Sequence, residues 1–163
     1  MHRLSLMALT VLLACGPRPD PVQPGFRGAG GQIYSSAVLE DGRLEGHWVQ
    51  VAGFAVADLP CGPGEVDIGS GQIRWTLCLD GLRSGAGAMV AGAAGRFAVA
   101  GMQDWWLLWV DADYRTMVVG TPSGQFGFVL NRDGNLPGDR VKAVRDILAF
   151  NGYDAGKLRF YPH

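Results

Sequence analysis

The sequence predicts an all-β fold with antiparallel strands, arranged as a sandwich or an up-and-down barrel and followed by one helix. Apolar runs of strand length recur about every ten residues, short turns separate them, and no helical pattern lies between them that would allow parallel crossovers. The 163 residues suit one domain with one core. Because 14 basic residues nearly balance 15 acidic ones, the composition argues against a nucleic-acid-binding protein.

Residues 1–14 have the pattern of a secretory signal peptide. Arg3 supplies a positive charge, and an apolar stretch runs from Leu4 to Leu13. Ten residues of helix rise about 15 Å, which is roughly half the hydrocarbon core of a bilayer. This stretch is therefore too short to span a membrane by itself.

The residues around Cys15 predict a lipid anchor. The segment from Leu12 to Gly16 resembles the bacterial lipobox, which implies cleavage before Cys15 and acylation of that cysteine with palmitate-type chains. A plain signal peptide with an incidental cysteine is the alternative. Gly16 stands where an acidic residue would signal retention in the inner membrane. The resemblance therefore implies a protein anchored in the outer membrane and facing the periplasm.

Residues 15–31 predict an extended tether between this anchor and a folded domain at residues 32–163. The segment is rich in Pro and Gly, a composition that cannot bury a core, and its alternating prolines hold a chain extended. The residues after Cys15 would reach about 50 Å at about 3.1 Å each.

Eight strands and one helix are expected in the domain. The strands are predicted at residues 44–54, 65–68, 72–79, 82–91, 95–100, 105–110, 116–120 and 125–130. The helix should begin near Pro137 and end at Asn151, with Gly152 suited to the left-handed position that follows. Its apolar stripe includes Val144 and Leu148 on one side only, so we expect it to lie on a surface. A short closing strand is expected at residues 157–161.

Several motifs in this order resemble the bacterial lipocalins, of the outer-membrane lipoprotein group related to apolipoprotein D. The resemblance rests on the G-x-W of Gly46 to Trp48, the D-x-D-Y-R turn that contains Asp113 and Tyr114, and the L-x-R that ends at Arg132. Residues 152–158 match the motif that follows the family's helix. The resemblance implies an eight-stranded antiparallel up-and-down barrel with the helix packed on its outside.

The resemblance also gives these motif residues structural roles. Trp48 would close one end of the barrel, and the guanidinium of Arg132 would lie across its indole, a contact worth about 0.5–2 kcal/mol. The resemblance assigns a structural role, rather than a ligand-binding one, to Gly46, Asp113 and Tyr114 as well.

Ligand-contacting residues are predicted from the alternation of side chains along each strand. The predicted inward faces carry Trp75, Leu77, Phe97, Val99, Trp105, Leu107, Trp109, Phe126 and Phe128. Alternation cannot choose a face for the strand at 105–110, which is apolar on both sides, and we prefer Trp105, Leu107 and Trp109 inward. An apolar cavity of this kind suits an acyl chain. The alternative is that these side chains fill a solid core.

The remaining cysteines, Cys61 and Cys78, form an even pair in an exported chain, and we predict a disulfide between them. Two free thiols are the alternative. No metal, cofactor or catalytic site is expected, because His2, His47 and His163 are scattered and no nucleophile motif is present. Asp111 and Asp113 are interpreted as residues of a solvated turn.

Three functions therefore stand as hypotheses. The preferred one is an outer-membrane lipocalin that binds a fatty acid or a lysophospholipid for storage or transport, as a monomer or a homodimer. The second is an envelope interaction protein whose barrel is packed solid. The third, an enzyme on a lipocalin scaffold, lacks a polar constellation in the sequence.

Overall fold

The structure is a computed structural model that describes residues 25–28 and 30–162. Its elements are β1 (Gly46–Phe54), β2 (Glu65–Gly69), β3 (Gln72–Cys78), β4 (Leu82–Ala91), β5 (Arg96–Val99), β6 (Trp105–Val110), β7 (Thr116–Gly120), β8 (Gly127–Asn131), the helix α1 (Gly138–Phe150), a short 3-10 helix (Ala155–Lys157) and β9 (Leu158–Phe160). Each of the strands β1 to β8 pairs antiparallel with the next, and β8 pairs with β1, which closes the ring. The predicted eight-stranded barrel with one outer helix is confirmed.

Two apolar clusters lie on the two faces of the barrel wall. The inner cluster lies inside the barrel and contains Trp48, Val66, Ile73, Trp75, Leu77, Val99, Trp105, Leu107, Met117, Val119, Phe126, Phe128 and Leu130. The outer cluster lies between the wall and α1, where Val144 and Leu148 of the helix are completely buried. The helix therefore lies against the outside of the barrel, as its one-sided apolar stripe predicts.

Local irregularities in β1 and β6 turn two successive side chains to the outer face. The pairing of β1 with β8 shifts between Gln50 and Ala52, and the pairing of β6 with β7 shifts between Leu107 and Trp109. Such a shift marks an extra residue in one strand, which breaks the alternation of side chains. Leu108 and Trp109 consequently both pack in the outer cluster. The prediction that Trp109 points into the barrel is wrong for this reason.

The folded domain begins earlier than the predicted boundary at residue 32. Phe26 stacks on Phe54 with ring centroids 5.3 Å apart, and Arg27 forms an isolated antiparallel bridge with Tyr153. The predicted signal peptide, Cys15 and most of the predicted tether lie outside the described residues. Within the described part of the chain, no helix is both long and apolar enough to cross a membrane.

Candidate ligand-binding site

The barrel has two different ends. The end that we call the mouth is formed by the loops at residues 55–64, 79–81, 100–104 and 121–126. The end that we call the closed end is formed by the turns at residues 70–71, 92–95 and 111–115, together with the segment at residues 37–45 that precedes β1.

Trp48 and Arg132 seal the closed end. The indole of Trp48 is completely buried, and the guanidinium carbon of Arg132 lies 3.7 Å from its ring centroid. The guanidinium also donates hydrogen bonds to the carbonyls of Arg43, His47 and Tyr114. Burial lowers the pKa of Arg132 from its ordinary value, and the nearby charge of Arg115 acts in the same direction. Arg132 thus joins three chain segments across one buried ring.

Gly46 is required beside this contact. Its φ of +105° is a conformation that side chains rarely adopt, and a Cβ there would lie 2.7 Å from Nη1 of Arg132. The first residue of the G-x-W motif therefore leaves room for the arginine that covers the third.

The turn between β6 and β7 is organised by Asp111 rather than by Asp113. The buried carboxylate of Asp111 accepts hydrogen bonds from the backbone N–H groups of Arg115 and Thr116 at 2.8 and 2.7 Å, and it pairs with Arg140. Asp113 is mostly exposed. Tyr114 adopts a φ of +55°, and its hydroxyl accepts a bond from the N–H of Glu40. This turn therefore helps to hold the segment that precedes β1.

The mouth opens into a cavity of about 720 Å³. Its apolar wall includes Trp75, Leu79, Met102 and Phe126. Its remaining lining residues are Gly25, Phe26, Val56, Asp80, Arg83, Gly101, Gln103, Gln125 and Lys157. Leu79, Met102 and Phe126 come from the mouth loops, as do most of the polar residues, so the lining mixes apolar and polar side chains. This combination is typical of sites for small amphipathic ligands.

Trp75 forms part of the wall of this cavity. Its indole is 3% exposed and donates a hydrogen bond to the carbonyl of Ala100 at 3.2 Å. A Cβ on Gly85 of β4 would lie 2.5 Å from the indole, so only glycine leaves room for the ring at this position. The Gly-rich β4 therefore lets the indole of Trp75 lie over the neighbouring strands.

The structure divides the predicted ligand-contacting residues into four groups. Trp75 and Phe126 line the mouth cavity, whereas Leu77, Val99, Trp105, Leu107 and Phe128 belong to the inner cluster without lining that cavity. Phe97 lines a second cavity, and Trp109 lies outside the barrel. A role in ligand binding remains a prediction for all of them. Sequence reasoning did not name Leu79, Met102 or Arg83 as ligand contacts. Alternation places Leu79 on the same face as Trp75 and Leu77, whereas Met102 lies in a loop, where alternation gives no signal.

Arg83 could have been found from the strand register. It pairs with Leu77, whose side chain is in the inner cluster, so the two side chains share the inner face at the mouth. The guanidinium binds both carboxylate oxygens of Asp80 at 2.6 Å. This hydrogen bonding lowers the pKa of Asp80 and raises that of Arg83 from their ordinary values. The rim thus carries a bidentate ion pair that remains accessible to solvent.

A disulfide between Cys61 and Cys78 closes the wall of the barrel near the mouth, which confirms the predicted pairing. Their Cα atoms lie 5.6 Å apart. Beside it, the buried amide of Gln50 donates to the carbonyl of Cys78 at 2.9 Å and accepts from its N–H at 2.8 Å. The amide occupies the gap between β1 and β3 before β2 begins, so no backbone polar group of Cys78 is left without a partner there.

The second cavity, of about 360 Å³, lies at the closed end. Its floor includes Leu39, Leu44 and Phe97, and the charged residues that line it are Glu40, Asp41 and Glu45. The two cavities therefore differ in charge, since the mouth cavity has Arg83 and Lys157 against Asp80.

Among residues 25–28 and 30–162, no group of three or more His, Cys, Asp or Glu side chains is arranged to hold a metal ion. His47 lies at the closed end, where its Nδ1 is 2.9 Å from the carboxylate of Asp67. The polar groups at the mouth are paired with one another instead. The Oε1 atom of Gln103 accepts hydrogen bonds from Thr121 and Ser123 at 3.2 and 2.8 Å.

Sequence comparison finds a match in the C-terminal part of the chain. Residues 94–163 match the family model described as a lipocalin-like domain. Temperature-induced lipocalin-1 of Arabidopsis thaliana is 30% identical over 59 residues, which are 36% of this chain and 32% of that protein. The match thus spans about a third of the length of this curated relative.

Solved structures show the same fold at low sequence identity. Insecticyanin of the tobacco hornworm Manduca sexta aligns with a TM-score of 0.57 and 13% identity over 86% of this chain and 88% of its own. Per a 4, a major allergen from cockroaches, aligns with a TM-score of 0.55 and 13% identity over 80% and 93%. The siderocalin Ex-FABP aligns with a TM-score of 0.54 and 13% identity over 74% and 95%. The chain therefore has the lipocalin fold, and its residues 94–163 match the lipocalin-like domain in sequence.

Proposed function

We propose that this protein is an outer-membrane-anchored lipocalin that binds a small hydrophobic ligand, of the fatty acid or lysophospholipid class, for storage or transport in the cell envelope. The mouth cavity is the observation that carries the proposal. Its volume of about 720 Å³ falls within the range of roughly 300–1,000 Å³ that is usual for small-molecule sites. Its lining combines apolar side chains with charged and amide groups.

This arrangement fits a ligand with a hydrocarbon tail and a polar head. The tail would lie against Trp75, Met102 and Phe126, where burial of apolar area gives about 25 cal/mol per Å² before the costs of association. The head would lie beside Arg83 and Lys157 at the rim. The siderocalin Ex-FABP is described as functioning through dual ligand specificities, which supports a binding role for this type of barrel.

The proposal is for a binding protein rather than an enzyme. The carboxylate of Asp80 is held by Arg83, and the amide of Gln103 is held by two hydroxyl groups. Groups paired in this way can orient a ligand, and none of them is positioned as a nucleophile beside a base.

One observation favours the second candidate, an envelope interaction protein with a packed barrel. Leu77, Leu107 and Phe128 inside the barrel are 2% exposed or less. Close packing of this kind in the described residues is what a barrel without a bound ligand requires.

Titration with fluorescent fatty acids of increasing chain length distinguishes the two candidates. We would use a chain that begins at Pro17, which keeps every described residue, and expect saturable binding of one probe per barrel. Removal of the indole that lines the cavity in the Trp75→Ala variant should weaken binding of short probes about tenfold, or ~1.4 kcal/mol. The enlarged cavity should favour longer probes. Trp106→Ala on the outer face is the matched control and should bind as the unmodified chain does.

The lipid class is tested separately by mass spectrometry of lipids that co-purify with the intact protein. A fatty acid or lysophospholipid in stoichiometric amount supports the proposal. Absence of saturable binding at every chain length, together with no co-purified lipid, would favour the packed-barrel protein.

A further inference from the structure

The segment at residues 25–28 is fixed to the mouth of the barrel. The N–H of Phe26 donates to the carbonyl of Gly124 at 2.7 Å, and its carbonyl accepts from the N–H of Asp154 at 2.8 Å. The side chain of Arg27 donates to the carbonyls of Asn151 and Pro122 at 2.7 and 3.2 Å. Residues 122 and 124 belong to the loop between β7 and β8, so the chain enters the domain at the mouth.

This entry point has a specific fit. A Cβ on Gly25 would lie 2.6 Å from the carbonyl oxygen of Ser123, whereas one on Gly28 would meet nothing closer than 3.9 Å. Gly25 and Phe26 also line the mouth cavity. Gly25 and Phe26 are therefore themselves part of the rim of the mouth cavity.

The charged residues that line the two cavities differ. At the mouth cavity each cation is paired with a carboxylate, Arg83 with Asp80 at 2.6 Å and Lys157 with Asp154 at 3.5 Å. The closed-end cavity is lined by three carboxylates, and the neighbouring Arg43 already pairs with one of them, Glu40, at 3.2 Å. An anionic surface would therefore repel the closed end more strongly than the mouth.

Exposed apolar side chains also lie on the rim. Val56 is 80% exposed and lines the mouth cavity, and Leu82, which follows the turn that carries Asp80, is 61% exposed. Val38 at the closed end is equally exposed, at 83%, but it stands beside the acidic residues. Exposed apolar side chains therefore occur at both ends. Only at the mouth do they occur together with the entry of the chain and without the three carboxylates of the closed-end cavity.

We propose that the mouth of the barrel faces an anionic phospholipid bilayer, the one that holds the acyl chains on Cys15, so that ligand passes directly between bilayer and cavity. This inference rests on the lipid anchor in the proposed function. Cys15 precedes Gly25 by ten residues, a distance of at most about 35 Å for an extended chain. Entry at the mouth means that this length need not pass along the side of the barrel.

The orientation is tested with single fluorescent labels on the full-length, acylated protein in vesicles that contain anionic phospholipid. The labels are attached through Val56→Cys and Val38→Cys, two positions of equal exposure at opposite ends, since the other cysteines are acylated or in the disulfide. A quencher confined to the bilayer reports which label is close to it. We expect several-fold stronger quenching of the label at position 56 than of the label at position 38.

A second pair of variants tests the role of the fixed segment. In the Gly25→Ala background the added Cβ should displace the segment from Ser123, and the difference in quenching between the two labels should fall. Gly28→Ala has space for its Cβ and should leave the difference unchanged.

The outcomes separate the orientation from the anchor. Equal quenching at both positions, or stronger quenching at position 38, overturns the orientation and leaves the anchored lipid-binding protein intact. If the unlabelled protein carries no acyl chain by mass spectrometry and does not float with vesicles, both proposals are overturned. An unchanged difference in quenching in Gly25→Ala would show that the segment does not set the orientation.

Discussion

The closed end and the mouth of this barrel are stabilised by different interactions. At the closed end, a buried indole and a guanidinium join three chain segments. At the mouth, a disulfide, one buried tyrosine hydroxyl and exposed polar pairs hold the loops. The comparison shows how one barrel combines a sealed end with an accessible opening: a buried ring and its arginine join the chain at one end, and the loops at the other are held at a few points.

The largest expected effect tests the base of the barrel. Truncation of Trp48 in the Trp48→Ala variant should lower the free energy of unfolding by about 3–5 kcal/mol, because a completely buried ring is lost and a cavity remains. Urea denaturation of the soluble chain measures this. The matched control is Trp106→Ala, whose ring also lies under a guanidinium, that of Arg96 at 3.8 Å, but on the half-exposed outer face. A similar loss in both variants would contradict a special role for the closed end.

The disulfide gives the next largest effect and belongs to the mouth. Replacing both cysteines in a Cys61→Ser, Cys78→Ser double variant should cost about 3 kcal/mol, because the bridge closes a 17-residue span and restricts the unfolded chain. Chemical denaturation with and without a reductant measures the loss. The reductant should destabilise the unmodified chain and leave the double variant unchanged. If the reductant destabilised both chains equally, its effect could not come from breaking the disulfide between Cys61 and Cys78.

The Tyr153→Phe variant tests how the loop between β7 and β8 is held. The buried hydroxyl of Tyr153 accepts a hydrogen bond from the N–H of Thr121, and its proton is shared between the carbonyls of Thr121 and Phe126. Removal of the hydroxyl leaves the N–H of Thr121 without a partner. We expect a loss of about 1–3 kcal/mol. Tyr161→Phe is the control, because its buried hydroxyl has no partner among the described residues. That variant should be neutral or slightly stabilising.

The same tyrosine predicts an alkaline limit. Burial raises the pKa of Tyr153 to about 12, from an ordinary value of 10.0. A raised pKa in the folded state favours the protonated form there, so its contribution is fully present below pH 10 and is lost as pH rises toward 12. Stability of the unmodified chain should fall across this interval, and it should fall less in Tyr153→Phe. Burial raises the pKa of Tyr161 to about 12 as well, so part of the decline should remain.

The smallest expected effect concerns the ion pair at the rim. Arg83 lowers the pKa of Asp80 below its ordinary value of 3.8, so the pair contributes above that pH and its contribution is lost as pH falls through the lowered pKa. Both side chains are largely exposed, and such pairs contribute little to stability. The Asp80→Asn variant should therefore unfold almost as the unmodified chain does at neutral pH. A clear destabilisation would show that the mouth is held more firmly than this comparison implies.

Much of the architecture was predictable from local pattern. Alternation in residues 72–78 and 127–131 assigned the inner face correctly, because both strands follow a regular pleat with one face in the core. The cysteine pair was predictable because two cysteines remain once Cys15 is set aside as the proposed anchor. The helix was predictable because its apolar stripe is one-sided.

The errors have non-local causes. Trp109 faces outward because of a bulge in β6. The sequence of that strand is apolar on both faces, so its pattern does not reveal where the bulge lies. Phe26 contacts the domain because Phe54 lies 5.3 Å away in space, although Pro24 and Gly25 precede it in the sequence. The position of the Trp75 indole depends on Gly85, its partner on the neighbouring strand β4, and the sequence alone does not give that strand register.

Because Trp75 lines the mouth cavity, its fluorescence emission should report whether a ligand is bound there. The chain has five tryptophans, and Trp75 is the one that lines the mouth cavity. A guest that replaces water above its indole should shift the emission of that ring while the other four contribute a constant background. Occupancy of the barrel can therefore be followed by intrinsic fluorescence without any attached dye, and Trp75→Phe should abolish the response.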